Sequence, residues 1–333
     1  MTGAAFELRA YQREALLSFR RYLQKTVAMA EAAEHPARAA FNDATGFNFA
    51  PAPLVDPQTP FVCIRIPTGG GKTLVAAHSV GIAAKEFMQA DNPMVLWLVP
   101  STAILDQTLS ALRNPEHPYR AALTAEFGRN LSVLTVAEAL ALSRPDATGG
   151  ACIIVATLQA FRAEDTAGRK VYQDAGAPMD HFSGLRPEDV ARLEAVEGNA
   201  RPVASLCNVL RLHRPMVIVD EAHNARTVLS FETLSRFAPS LILELTATPQ
   251  LERDVAKDIH PSNVLFHVSA AELKAEEMIK LPIRLNTDAD WQKTVGQALD
   301  CQAELERAAE AEQAETGEYI RPIVLFHAQA RSK

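Results

Sequence analysis

Apolar residues recur along this chain with two periods, and the alternation between them outlines a fold. From Leu8 to Phe19 they return at helical spacing, which predicts an amphipathic helix continuing through alanine-rich sequence towards Ala33. Residues 35–60 lose that periodicity in Pro, Asn, Asp and Gly with scattered Phe, the composition of a long loop or insertion. Phe61–Ile66 is a short β-branched and apolar run, followed by a glycine loop and an alanine-rich helical stretch from Leu74 to Gln89. The same alternation recurs in strands at Met94–Val99, Leu131–Val133, Ala151–Ala156, Met216–Val219 and Leu241–Leu245, with helices at Thr102–Leu112 and Ala137–Leu142. Unbroken apolar strands alternating with helices predict an α/β fold, a parallel sheet with helices on both faces.

Two further stretches divide the chain. Residues 162–214 are polar and broken by Gly and Pro, too long for an ordinary connection, and read as an insertion. Ala270–Ile279 reads as helix, Trp291–Glu315 as a solvated acidic helix, and Arg321–Phe326 as another buried strand. The expected organisation is a first domain over residues 1–275, its sheet running from about Ala4 to His267 with the insertion near 162–214. Residues 276–333 would then be a linker helix and the first strand of an incomplete second domain.

Composition narrows the class of partner. With 333 residues, 48% apolar and 22% charged, the chain can bury one large core or two ordinary ones. A formal charge of −7 argues against a general basic coat for nucleic acid but leaves room for a local basic groove. Cys63, Cys152, Cys207 and Cys301 stand far apart with no C-x-x-C pair, which points to reduced thiols and a cytoplasmic location. No apolar run approaches the ~18 residues of a membrane span, and Met1–Arg9 lacks the pattern of a signal peptide.

The candidate chemistry sits at two strand ends. Pro67-Thr68-Gly69-Gly70-Gly71-Lys72-Thr73 follows one predicted strand and opens a predicted helix, the context of a phosphate-binding loop. Glycines let backbone N–H groups converge on phosphate oxygens, and the helix dipole adds positive potential. Lys72 would contact the β- and γ-phosphates of ATP, and the Thr73 hydroxyl would ligate Mg²⁺. The strict pattern G-x-x-x-x-G-K-T is not met, because no glycine stands at Arg65 or Ile66. Met216–Val219 ends in Asp220-Glu221-Ala222-His223, two carboxylates at the carboxyl end of a strand, where open α/β sheets bind ligands. Asp220 would hold the Mg²⁺ shell and Glu221 would polarise the attacking water. Alone, two such carboxylates read equally as a solvated turn; His213 and His223 have no partner at ligand spacing for a metal.

These motifs resemble those of superfamily 2 helicases. Pro67–Thr73 looks like their motif I, Asp220–His223 spells the DEAH form of motif II, and Leu245-Thr246-Ala247-Thr248-Pro249 looks like motif III, in family order. Within the superfamily the pattern is most similar to the motor subunit of type III restriction enzymes. The resemblance implies a RecA-like P-loop NTPase fold, with Gln12 reading adenine and His223, Thr246 and Thr248 coupling hydrolysis to movement. It also implies that Ser101, in Leu98–Ser101, and Thr157, in Val155–Phe161, touch the nucleic-acid backbone; as hydroxyls after strands, both also read as helix caps. The implied activity is an ATP-dependent translocase or helicase on nucleic acid, DNA favoured, in restriction or related defence, partnered by a second RecA-like domain and a modification or specificity subunit. Two alternatives stand beside it: a nucleotide-binding fragment with little hydrolysis of its own, and a P-loop ATPase of another kind.

Overall fold

In a computed structural model, residues 7–161, 170–199, 201–221, 227–254, 256, 259–276, 290–317 and 319–326 are described. The chain divides into two compact units, Met1–Ile279 and Lys280–Lys333.

The first unit is built on a seven-stranded sheet. Its strands are β1 (Phe61–Arg65), β2 (Met94–Val99), β3 (Leu131–Thr135), β4 (Ala151–Thr157), β5 (Met216–Asp220), β6 (Leu241–Thr246) and β7 (Val264–His267). They lie in the order β3-β4-β2-β5-β6-β1-β7, and every pairing is parallel. Each residue of β2, β4, β5 and β6 is buried, so side chains pointing to either face meet a covering layer. Trp97, wholly buried in β2, pairs in register with Val155 on one side and Ile218 on the other.

Helices α1 (Ala10–Ala28), α2 (Pro36–Thr45), α3 (Lys72–Ala83), α4 (Thr102–Arg113) and α5 (Pro118–Phe127) follow in chain order. On α1, Tyr11, Ala15, Phe19, Tyr22, Leu23 and Thr26 return every three or four residues and face inward, and α1 packs on α2 and α3. The helix expected through Gln89 stops as an α-helix at Ala83 and continues as one π-helical turn, Ala84–Met88, which Gln89 ends at φ 51°. The long loop expected over residues 35–60 contains α2. Pro36 begins it and Gly46, at φ 74°, ends it, so two residues that read as turn formers are the helix's start and stop signals. Among other helices not expected, α5 is started by a His117 cap with Pro118 at its first position.

Six of the seven expected strands are present, and β7 is one that the pattern did not announce. It is four residues long, half-buried and at the sheet edge. Arg321–Phe326, expected as a strand, pairs with nothing among the described residues: Ile323 and Leu325 are 86% and 90% exposed. An apolar run becomes a strand only beside another strand that takes its hydrogen bonds. In the same unit Trp291–Thr316 is a helix capped by Asp290 and ended by Gly317 at φ 79°, with Ala309 its only buried residue among those described.

Within the span read as an insertion, residues 162–169 and 200 lie outside the described residues. The rest is a chain of single turns until Leu206–His213, a helix whose Leu206, Cys207, Val209 and Leu210 join the core of the sheet domain. Arg236 ties the remainder down. Its guanidinium forks onto both Glu194 oxygens at 2.9 and 3.0 Å and lies 3.7 Å over the Tyr172 ring, while Tyr172 donates to the Phe161 carbonyl at 2.7 Å. Cys63, Cys152 and Cys207 are buried free thiols and Cys301 is exposed. No helix among the described residues is long and apolar enough to cross a membrane.

Asn263, 2% exposed, locks the unexpected edge strand to the segment before β1. It accepts from the Ala50 N–H and donates to the carbonyls of Ala50 and Phe61, all at 2.8 Å. Asn263→Ala removes the hydrogen bonds to one buried and two part-buried backbone groups and is expected to cost about 2 kcal/mol. A urea denaturation midpoint within error of the parent chain would refute this.

Candidate nucleotide site

The order of the strands puts the candidate residues at one edge. β1 and β5 flank β6, so the loop after β1 and the acidic pair after β5 open side by side at the carboxyl ends, where the chain order reverses across the sheet.

The loop after β1 is shaped by its glycines. Gly69 and Gly71 have φ of 85° and 76°, in the left-handed region that favours glycine. A Cβ at Gly70 would stand 2.4 Å from Ile66 Cγ2, and one at Gly71 would stand 2.5 Å from Gln12 Nε2, so side chains are excluded by space as well as by torsion. Gly71 caps α3, and the N–H groups of Gly71, Lys72 and Thr73 donate to no acceptor among the described residues. Thr68 and Gly69 are exposed, and Lys72 is 8% exposed.

Across the cleft, Lys72 Nζ lies 2.9 Å from Glu221 Oε1. Glu221 has φ 52°, an unfavourable backbone for this residue, and its N–H donates to Asp220 Oδ1 at 3.0 Å. Burial, with the neighbouring Glu221 charge added, pushes the Asp220 carboxyl up to about 6; the Lys72 ammonium and the Glu221 N–H pull the other way without prevailing. One buried cation thus faces two carboxylates among the described residues, and ionising the second costs more than it would in water. A cleft of about 450 Å³ joins Gly69, Gly71, Lys72, Thr73, Asp220 and Glu221. Its far wall comes from α4 and α5, with Gln107, His117 and Tyr119, none of which the motifs had marked. The His117-Pro118 pair, a capping residue before a proline, was the signal that a helix begins there.

The other expected residues distribute as follows. Gln12 does not line the cleft. It is 1% exposed behind the loop, its Oε1 accepting from Arg9 N at 2.9 Å and its Nε2 donating to Gly70 O at 3.1 Å. Tyr11, unmarked in the sequence, donates to the same Gly70 oxygen at 2.7 Å. Thr246 is fully buried; its Oγ1 accepts from Thr248 N, its carbonyl accepts from Ile66 N at 3.1 Å, and Arg65 Nε donates to Ala247 O at 3.3 Å. The Thr246–Thr248 loop is therefore bonded directly to the residues that lead into the glycine loop. Ser101 caps α4, its hydroxyl accepting from Ile104 N at 3.4 Å, and Thr157 ends β4. Residues 222–226, His223 among them, lie outside the described residues.

His213 does have a partner, from 32 residues away. His181 Nδ1 and His213 Nε2 are 3.2 Å apart, and His181 Nε2 donates to the Leu142 carbonyl at 3.0 Å. Burial, with His181 alongside, pushes the His213 imidazole down to about 4, which suits a neutral hydrogen-bonded pair. No group of three or more potential metal ligands occurs among the described residues.

The family described as type III restriction enzyme, res subunit, matches residues 5–251, well over half of the chain, and the chain belongs to it. That family places it among helicase-type nucleotide-binding motors. No curated protein matches the sequence. Among solved structures, a nuclease-deletion mutant of the Type ISP restriction-modification enzyme LlaGI in complex with a DNA substrate mimic is 14% identical. The match covers 93% of this chain and 24% of that one, with a TM-score of 0.38. The UvsW helicase from bacteriophage T4 is 13% identical over 74% of this chain and 55% of its own, with a TM-score of 0.34. The Hef helicase domain of Pyrococcus furiosus is 18% identical over 77% and 45%, also with a TM-score of 0.34. The chain thus spans between about a quarter and about half the length of these relatives.

The Asp220 environment has a measurable sign. Its folded value of about 6 lies above the ordinary 3.8, so the folded chain holds this proton more tightly than the unfolded one. Stability from this group is present below about pH 4, falls as pH rises to about 6 and stays lost above it. With divalent metal chelated, Asp220→Asn is expected to stabilise the chain by about 2 kcal/mol at pH 8 and by nothing near pH 4. A gain independent of pH would contradict this account of the carboxyl.

Proposed function

We propose that this member of the res-subunit family is the ATP-binding part of a DNA translocase or helicase that hydrolyses ATP with Mg²⁺. The observation that supports it most directly is the buried Lys72 ammonium, held at 2.9 Å by Glu221 beneath a glycine loop with three N–H donors that find no acceptor among the described residues. Such a cradle fits a polyanion. The desolvated Asp220 carboxyl beside Glu221 fits a hard dication with oxygen ligands.

In this reading Gly69, Gly70, Gly71 and Thr68 shape the loop, and its N–H groups with Lys72 bind the β- and γ-phosphates. The Thr73 hydroxyl and Asp220 would hold Mg²⁺, which when bound would supply positive charge against the charge that develops on the phosphates. Lys72 passes from the Glu221 carboxylate to phosphate, and Glu221 is freed to orient and polarise water for in-line attack. Thr246, Thr248 and His223 link this chemistry to movement, while Ser101 and Thr157 meet the nucleic-acid backbone. Gln12 reads adenine only if its amide leaves Arg9 and Gly70. A cytoplasmic setting, a second RecA-like domain, a modification or specificity subunit and a role in restriction belong to the same proposal.

One observation favours slow hydrolysis by this chain alone. No arginine lines the cleft among the described residues, so Lys72 is its only fixed cation. Phosphoryl transfer gains much from an arginine supplied at the γ-phosphate, which a second domain would bring.

Steady-state ATPase activity of the purified chain, with and without duplex DNA, tests the reading. Glu221→Gln should bind ATP at near-parent affinity and stop turnover, and Lys72→Ala should weaken ATP binding by roughly 100-fold or more. ATP affinity unchanged in Lys72→Ala would refute the site, whereas binding without turnover in the parent would establish a nucleotide-binding fragment.

A further inference from the structure

We propose that Tyr11 is a positioning residue for the phosphate-binding loop, its hydroxyl acting with the Gln12 amide to hold the Gly70 carbonyl away from the cleft. The inference rests on the nucleotide reading of the site and says how the loop is kept ready for phosphate.

Gly70 O accepts from Tyr11 Oη at 2.7 Å and from Gln12 Nε2 at 3.1 Å, and a carbonyl oxygen has two lone pairs, so both are used. The peptide that follows is planar and trans, with C=O and N–H pointing in opposite directions. Holding the Gly70 oxygen against α1 therefore aims the Gly71 N–H the other way, where it finds no acceptor among the described residues.

The loop cannot enforce that orientation alone. Turning the peptide over requires rotation about ψ of Gly70 and φ of Gly71, and neither residue has a Cβ to resist it. Its internal bond, Gly70 N to Pro67 O at 3.1 Å, restrains the other side of Gly70. A turned peptide would present an oxygen to the phosphates in place of a donor. The same glycines that open the cradle permit its failure, and the clamp from α1 selects the working form.

The clamp is built to stay closed. Tyr11 is 5% exposed and Gln12 1%, and Gln12 Nε2 stands 3.4 Å from Tyr11 Oη. Burial raises the Tyr11 phenol above its ordinary value of 10.0, so at neutral pH it keeps the proton it donates. Because Gln12 Oε1 is taken by Arg9 N, the pair acts on the loop and not on a base.

That distinction supplies the test. Binding of Mg·ATP, Mg·GTP and Mg-pyrophosphate to the purified chain is measured by calorimetry for the parent, Tyr11→Phe, Gln12→Ala and Lys72→Ala. Tyr11→Phe should weaken ATP and pyrophosphate by the same factor, about tenfold, while the thermal midpoint falls only by the few degrees that one lost hydrogen bond costs. Gln12→Ala should likewise affect pyrophosphate. Parent-like pyrophosphate binding in Tyr11→Phe overturns the proposal, and so does a loss confined to ATP, which would mean recognition of the base. A fall in thermal midpoint well beyond the loss of one hydrogen bond also overturns it, in favour of a packing role. Lys72→Ala separates the two levels: its loss of pyrophosphate binding upholds the nucleotide site whatever Tyr11→Phe does, and unchanged binding there removes both.

Discussion

A parallel strand buried on both faces leaves little room for charge before its end. In β2, β4, β5 and β6, whose residues are all buried, Glu244 of β6 is the one interior charge, and the candidate chemistry lies at their carboxyl ends and in the loops beyond. Asp220 is the last residue of β5, and the glycine loop begins two residues after β1 ends at Arg65. Because β6 lies between those strands, its own terminal residue Thr246 becomes the bridge, bonded to Ile66 on the glycine-loop side.

Burial then decides the electrostatics. Lys72 is not paired at the surface, where such a contact contributes little; it is 8% exposed against a Glu221 side chain 26% exposed. Pairing only one of the two carboxylates leaves Asp220 desolvated next to a like charge, and its carboxyl rises accordingly. In the proposed reading the ion pair is a holding arrangement, and a ligand that brings a cation together with anionic oxygens would give Lys72 a new partner.

Much of this was legible in the chain because its signals are local. Six strands announced themselves as unbroken apolar runs, and the two loops of chemistry followed them directly. What escaped was either ambiguous locally or not local at all. Pro36 and Gly46 read as loop residues since the same residues start and stop helices. β7 was too short and too exposed for its pattern to register, while Arg321–Phe326 had the right pattern and no neighbour to pair with. The His181–His213 pair joins positions 32 apart, which spacing rules cannot see. Tyr11 was hidden by its surroundings: on an amphipathic helix an aromatic at an inward position reads as core, and only the fold shows that its hydroxyl reaches a loop 59 residues later.

The back of that loop is where packing and chemistry meet. Gly70 has no room for a side chain because Ile66 fills one side and Leu273, from helix Ala270–Ala275, stands within 3.3 Å of where its Cβ would be. Its carbonyl is held by α1, and the N–H of Gln12's own helix cap is satisfied by the same amide that reaches the loop. The loop is therefore supported from behind by the first helix of the unit and by its last described one, while the donors at its front meet no acceptor among the described residues. Rigidity on one side and unmet hydrogen-bonding capacity on the other is the arrangement that lets a glycine-rich segment bind an anion without ordering itself at the moment of binding. The entropy that three glycines would otherwise lose on contact is removed at folding, at the cost of a buried tyrosine and glutamine whose polar atoms all need partners.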